Sequence, residues 1–203
     1  MPAYFSLVSE CNRDHIYDTI LRDFYKVLPT AGLNLLGEYW PFMDIPYDEL
    51  MDSNQKKLED NYRLAFKEHA GNDYIQIVHV LEGFSEVRSF ILNQPEKGIF
   101  TINIIVPEDD LIKAEDHKIV YDREKVDKLI AVAKKIYELP FVDLIQTDLE
   151  LSDDPYSLEE ITEGEALGVE PFAIVPDTLK NSVPEKYTVS EASGNGLLVT
   201  IDY

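Results

Sequence analysis

The sequence predicts an α+β fold: an antiparallel sheet with helices packed mainly on one face, and a small acidic α/β extension at its end. Three observations point there. Apolar runs over residues 74–81, 87–92 and 99–106 follow one another with only short turns between them, the arrangement of an antiparallel meander. Helical periodicity appears in separate stretches and does not follow every strand, so the alternation of a doubly wound parallel sheet is missing. The last third changes to short elements separated by Pro155, Pro171, Pro176 and Pro184. The division that follows is a core over residues 1–151 and an acidic extension over 152–203 with a β-hairpin, packed on the core as a single domain overall.

The elements can be justified in order. Residues Tyr4 to Val8 form a short apolar run and read as an edge strand. Ile16, Ile20, Phe24 and Val27 recur at helical spacing, and Pro29 stops that helix. Residues 31–46 read as an irregular aromatic connection containing Tyr39, Trp40, Pro41 and Phe42. A second helix spans about residues 53–70, with Leu58, Tyr62, Ala65 and Phe66 on one face and Ser53 as its N-cap. The clearest of the three strands is 99–106, where Phe100, Ile102, Ile104 and Val106 face one way and Thr101 and Asn103 the other.

After an acidic loop over 108–118, Val126, Leu129, Ile130, Ala133 and Ile136 make the strongest helical stripe, capped by Asp122 and ended by Pro140. A strand over 142–151 follows. Ser157 and Glu160 form a capping-box pattern that opens a short helix, with Gly168 as its stop. Residues 172–175 read as a strand, and 187–192 with 197–203 flank the turn Ser193-Gly194-Asn195-Gly196 as a hairpin.

Composition narrows the function. The 203 residues contain 39 acidic and 18 basic ones, a formal net charge of −21. A field of that sign repels nucleic-acid phosphate and anionic membrane surface and draws in cationic partners. No basic stripe is present, which disfavours direct nucleic-acid binding. Hydrophobic residues make up 45% of the chain, enough for a folded core. The one cysteine, Cys11, allows no intrachain disulfide and no multi-thiolate zinc site. The first residues lack a signal-peptide pattern, and no apolar run is long enough to span a bilayer, so the expectation is a soluble cytoplasmic protein without membrane contact.

No cofactor motif stands out. The nine glycines form neither a dinucleotide nor a P-loop pattern. Asp148, Glu150, Ser152, Asp154 and Glu159 fall at the spacing of a calcium loop, but Asp153 occupies the position where that loop turns on glycine. Glu108, Asp109, Asp110, Glu115, Asp116 and His117 supply hard ligands in a segment that otherwise reads as a solvated acidic turn. Cys11 and His15 lie four apart near the expected start of the first helix, a spacing for a thiol and its base, although Glu10 and Asp14 oppose a thiolate. His79 reads as a core histidine. HExxH is absent. No catalytic residue and no metal ligand is assigned.

The size, acidity and lack of catalytic motifs are similar to those of the immunity proteins of bacterial toxin–immunity pairs, which bind and block a toxin. That similarity implies a protein-binding module that captures a basic partner protein. On this reading Asp153, Asp154, Glu159, Glu160, Glu163 and Glu165 form the charged patch, and Tyr39 and Trp40 are apolar anchors. Two alternatives remain open on sequence alone: a small-molecule sensor with an aromatic-lined pocket, and a hydrolase built on paired carboxylates.

Overall fold

The computed structural model describes residues 3–38, 45–60, 76–115, 118–150 and 155–202. Its centre is strand β1 (Tyr4–Asn12). This strand pairs antiparallel with β5 (Ile99–Pro107) on one side and β8 (Val142–Leu149) on the other. The expected edge strand is therefore the middle of the sheet. Place in the chain does not set place in a sheet; the two long, alternating apolar strands that flank it do.

From β5 the sheet continues through β4 (Val87–Gln94) and β3 (Ile77–Val80) to β2 (Asn34–Glu38), which is the predicted meander extended by one strand. From β8 it continues through β9 (Phe172–Pro176) and β11 (Gly196–Thr200) to β10 (Thr188–Glu191). Among the described residues the order is thus β10-β11-β9-β8-β1-β5-β4-β3-β2, nine strands with antiparallel neighbours throughout. A separate hairpin joins β6 (Ile112–Glu115) to β7 (Lys118–Tyr121).

The registers fix which side chains share a face. Phe5, Leu7 and Cys11 of β1 lie beside Phe100, Ile102, Ile104 and Val106 of β5 and form one apolar face. Against it pack α1 (Ile20–Val27), α2 (Tyr47–Glu59) and α4 (Arg123–Tyr137), through Ile20, Phe24, Leu50, Leu58, Leu129 and Ile136. The opposite face of β8, β9 and β11 carries a second, smaller core of Leu144, Ala173, Val175 and Val199. Ile161 of α5 (Leu158–Glu163) closes that core, so this helix lies across the sheet from the other three.

Local signals explain most boundaries. Asp122 caps α4 by accepting from the Lys125 amide, as its position predicts. Ser157 and Glu160 form both halves of a capping box on α5. α1 ends at Val27, ahead of Pro29 as expected, and Pro29 sits in the first turn of a 3-10 segment, Leu28–Ala31, where its missing N–H is no loss. Three expectations differ. α2 begins at Tyr47, so Ser53 lies inside it and the N-cap position is Pro46. The acidic loop contains a one-turn helix, α3 (Glu108–Leu111), and leads into the β6–β7 hairpin. α5 ends at Gly164, whose φ of 118° suits a glycine, well before Gly168.

One glycine answers to packing. A Cβ on Gly196 would collide with the Tyr137 ring, so β11 approaches α4 closely only because that position has no side chain.

Candidate functional site

α5 and the chain after it form an open site. The helix turns Ile161 into the second core and leaves Glu159 and Glu163, four residues apart, exposed on its outer side. Beyond Gly164 the chain folds back and forms a cleft of about 270 Å³ with Ile161, Glu165, Leu167, Leu179, Lys186 and Tyr187 among its walls. Its floor is apolar and its rim carries the exposed Glu165. Lys186, the cation at the rim, stands over the Tyr187 ring, 4.7 Å from its centre.

Glu160 faces inward by comparison. Its carboxylate accepts from the Ser157 amide (2.8 Å) and hydroxyl (2.7 Å) and pairs with Lys97 (3.1 Å). These bonds, the Ser157 amide first, pull its pKa down to about 2. Glu160 therefore fixes the start of α5 and ties it to the turn between β4 and β5.

A buried carboxylate lies directly beneath that start. Cross-strand pairing puts Leu144, Glu10 and Thr101 in one row, Gln146, Val8 and Asn103 in the next, and Ser6, Ile105 and Arg88 beyond them. All of these share the sheet face opposite the main core. Glu10, Arg88, Thr101, Asn103 and Gln146 are each buried there. Each has a partner. Asn103 donates to Thr101 (2.9 Å), and Gln146 spans Tyr156 O (2.7 Å) and Gly168 N (2.8 Å). Arg88 meets Gln76, Glu86 and the face of Tyr4.

Glu10 accepts the Leu158 amide on both oxygens, at 3.2 and 3.1 Å. Burial pushes its pKa up to about 7 despite that bond; Asp143 and Glu160 add to the rise and Lys97 opposes it. The row is a bonded polar layer on which α5 is seated.

A third polar group lies inside the main core. Tyr25 of α1, Ser89 of β4 and His79 of β3 form a chain of Tyr25 Oη to Ser89 Oγ (3.1 Å) and Ser89 Oγ to His79 Nε2 (2.9 Å), with the Tyr25 and His79 rings stacked. Burial lowers the His79 pKa to about 4 and raises that of Tyr25. His79 is thus a core histidine, as expected, but only half satisfied, because Nδ1 has no partner among the described residues. Ser89 is fully enclosed, so the serine–histidine pair faces no substrate space. Sequence reasoning missed Tyr25 and Ser89, which meet across 64 positions of chain.

The predicted patch divides accordingly. Glu159 and Glu163 on α5 and Glu165 just after it are exposed, and Glu160 is engaged with Ser157 and Lys97. Tyr39, Trp40, Asp153 and Asp154 lie outside the described residues, as do residues 151–154 of the candidate calcium loop. In the other acidic segment, Glu108 accepts the Glu150 amide and Asp110 accepts the amide and hydroxyl of Ser85. Among the described residues no three of His, Cys, Asp and Glu converge as ligands for a metal. The cysteine pairing fails outright. Cys11 belongs to β1 and not to a helix, is fully buried, and has its thiol pKa pushed up by burial and by Asp143 and Glu10, while His15 is exposed beyond the strand.

No described helix is long and apolar enough to cross a membrane. No family model matches the sequence, and no curated protein matches it.

Proposed function

We propose that this chain is an acidic protein-binding module that captures a basic partner protein through the surface around α5, as an immunity-type inhibitor of the cytoplasm would. One observation supports this reading above the others. Exposed Glu165 lines a cleft with an apolar floor, and exposed Glu159 and Glu163 lie on α5, whose Ile161 is part of that floor. A lysine or arginine side chain of a partner fits such a site at both ends, its methylene stem on Ile161 and Leu167 and its charge among the carboxylates. The segment 155–202 favours the same partner, with nine acidic residues against two lysines. The finer division of the molecule, an acidic extension built to carry the contact, belongs to this proposal.

The sensor and hydrolase readings gain less. The buried carboxylate and amides beneath α5 are bonded to one another or to backbone, which is how a structural layer behaves.

The test is affinity capture from native lysate at low and high salt, repeated with Glu159→Lys, Glu163→Lys and Glu165→Lys combined. A basic partner held by the native chain, weakened by salt and lost with the triple variant, is the expected result. Retention of that partner by a correctly folded triple variant rejects the α5 surface.

A further inference from the structure

We infer that the basic partner docks by adding a strand to the free edge of β10, with its alternate side chains entering the depressions on either face of that edge. This rests on the capture reading above and names the mode of contact.

Among the described residues β10 ends the sheet, and all four of its residues are exposed. Natural edges are usually blunted by proline, lysine or a bulge; Thr188-Val189-Ser190-Glu191 has none of these within the strand. The pairing tells which groups are free. In an antiparallel ladder, residues alternate between exchanging backbone bonds with the partner strand and turning their N–H and C=O away from it. Ala192 N donates to Gly196 O (2.9 Å) at the turn end of the hairpin. Ser190 and Thr188, two and four positions back, therefore bond inward to Leu198 and Thr200. On the far side of β11, Asp177 N bonds Asn195 O and Ile201 N bonds Pro171 O, which sets Leu197 and Val199 toward β9 and agrees with this phase. Val189 and Glu191 thus direct their amides and carbonyls to solvent, four groups in the line that an incoming strand requires.

The edge lies between two recesses. Thr188 and Thr200 share the α4 face, where Arg123, Asp127, Thr188, Thr200 and Asp202 border a polar depression of about 400 Å³. On the α5 face the chain entering β10, Lys186 and Tyr187, forms a wall of the cleft that holds Glu165. Val189, 38% exposed, also lies on that face, because its partner Val199 belongs to the second core. Successive side chains of an added strand point to opposite faces. One set would meet Asp127 and Asp202, the other Val189, Glu191 and the cleft. Backbone bonds give such a contact its strength and the alternate recesses its selectivity. The occupant that fits is an extended segment alternating basic with apolar residues. A second copy of this chain fits poorly, since two bodies of charge −21 repel.

The test uses a short synthetic peptide of alternating lysine and valine as the probe, with a glutamate–valine peptide as control. Expected are salt-sensitive binding of the lysine peptide only, and slowed amide hydrogen exchange at Val189 and Glu191. The variant Val189→Pro removes an outward N–H and leaves every β10–β11 bond intact, so it should melt as the native chain does and bind about tenfold or more weakly. Lysine-peptide binding without protection of those two amides, and undiminished in Val189→Pro, overturns strand addition; loss of the same binding in the α5 triple variant would leave the capture reading standing. Salt-insensitive binding of both peptides, lost in Val189→Pro, rejects the basic partner instead. No binding, or protection of the two amides by self-association without peptide, overturns the proposal. The exchange measurement on the native chain decides the matter even if Val189→Pro does not fold.

Discussion

Glu10 carries the largest consequence at the residue scale. Its folded pKa of about 7 lies above the ordinary 4.5, so the folded chain binds a proton that the unfolded chain has released between those values. The contribution of Glu10 to stability therefore falls as pH rises from about 4.5 to 7 and is level above that, the reverse of a salt-bridged carboxylate. Replacing Glu10 by Gln keeps an acceptor for the Leu158 amide and removes the charge. His79, whose pKa of about 4 lies below the ordinary 6.5, acts in the opposite sense up to about pH 6.5 in both chains, so the comparison isolates Glu10. In melting curves from pH 5 to 8 the native chain should lose on the order of 1–3 kcal/mol relative to Glu10→Gln, which is the more stable of the two at pH 8. A Glu10→Gln profile that tracks the native one rejects this account. Cys11 gives a second expectation. Enclosed in β1, its thiol should react with a disulfide reagent only at the rate of unfolding, and immediate labelling under native conditions would contradict its burial. Neither property was legible from neighbouring residues. The amide that Glu10 accepts is 148 positions away, and Cys11 reads as helical until β1 is seen to extend past Val8.

Elements were legible where the information is local. Asp122 and the Ser157–Glu160 pair announce α4 and α5, because a cap acts within one turn. The alternation of Phe100 to Val106 gives β5 and its faces correctly. What escaped was set by distant pairing: the central place of β1, and the strand β2 within a segment that looks irregular. The acidic surface around α5 was half legible for the same reason. Charge and capping can be counted in the sequence, whereas the inward turn of Glu160 depends on Lys97, 63 positions away. Two substitutions test the element scale. Ser157→Ala removes the cap of α5 and should lower stability by about 1 kcal/mol, with faster exchange confined to α5. Gly196→Ala drives a methyl into Tyr137 and should cost about 1–3 kcal/mol in chemical denaturation; Gly196→Ala combined with Tyr137→Leu should recover part of that loss if the clash is the cause.

For the whole molecule, the charge of −21 opposes compaction as well as selecting partners. Added salt should raise the melting temperature of the free chain while weakening its hold on a basic partner. A structure stabilised by exposed ion pairs would show the opposite first effect. The central position of β1 bears on how the chain reaches this state during synthesis. Both of its neighbours are made after it, and the Tyr4 amide meets its Glu150 acceptor across 146 positions. As the chain leaves the ribosome, the keystone of the sheet must wait with both hydrogen-bonding edges open until β5 has emerged, and with one edge open until β8 has. Folding of the core is then gated by the arrival of β8. Until that point the emerging chain presents an apolar strand with an open edge, which favours slow folding and early engagement of holding chaperones.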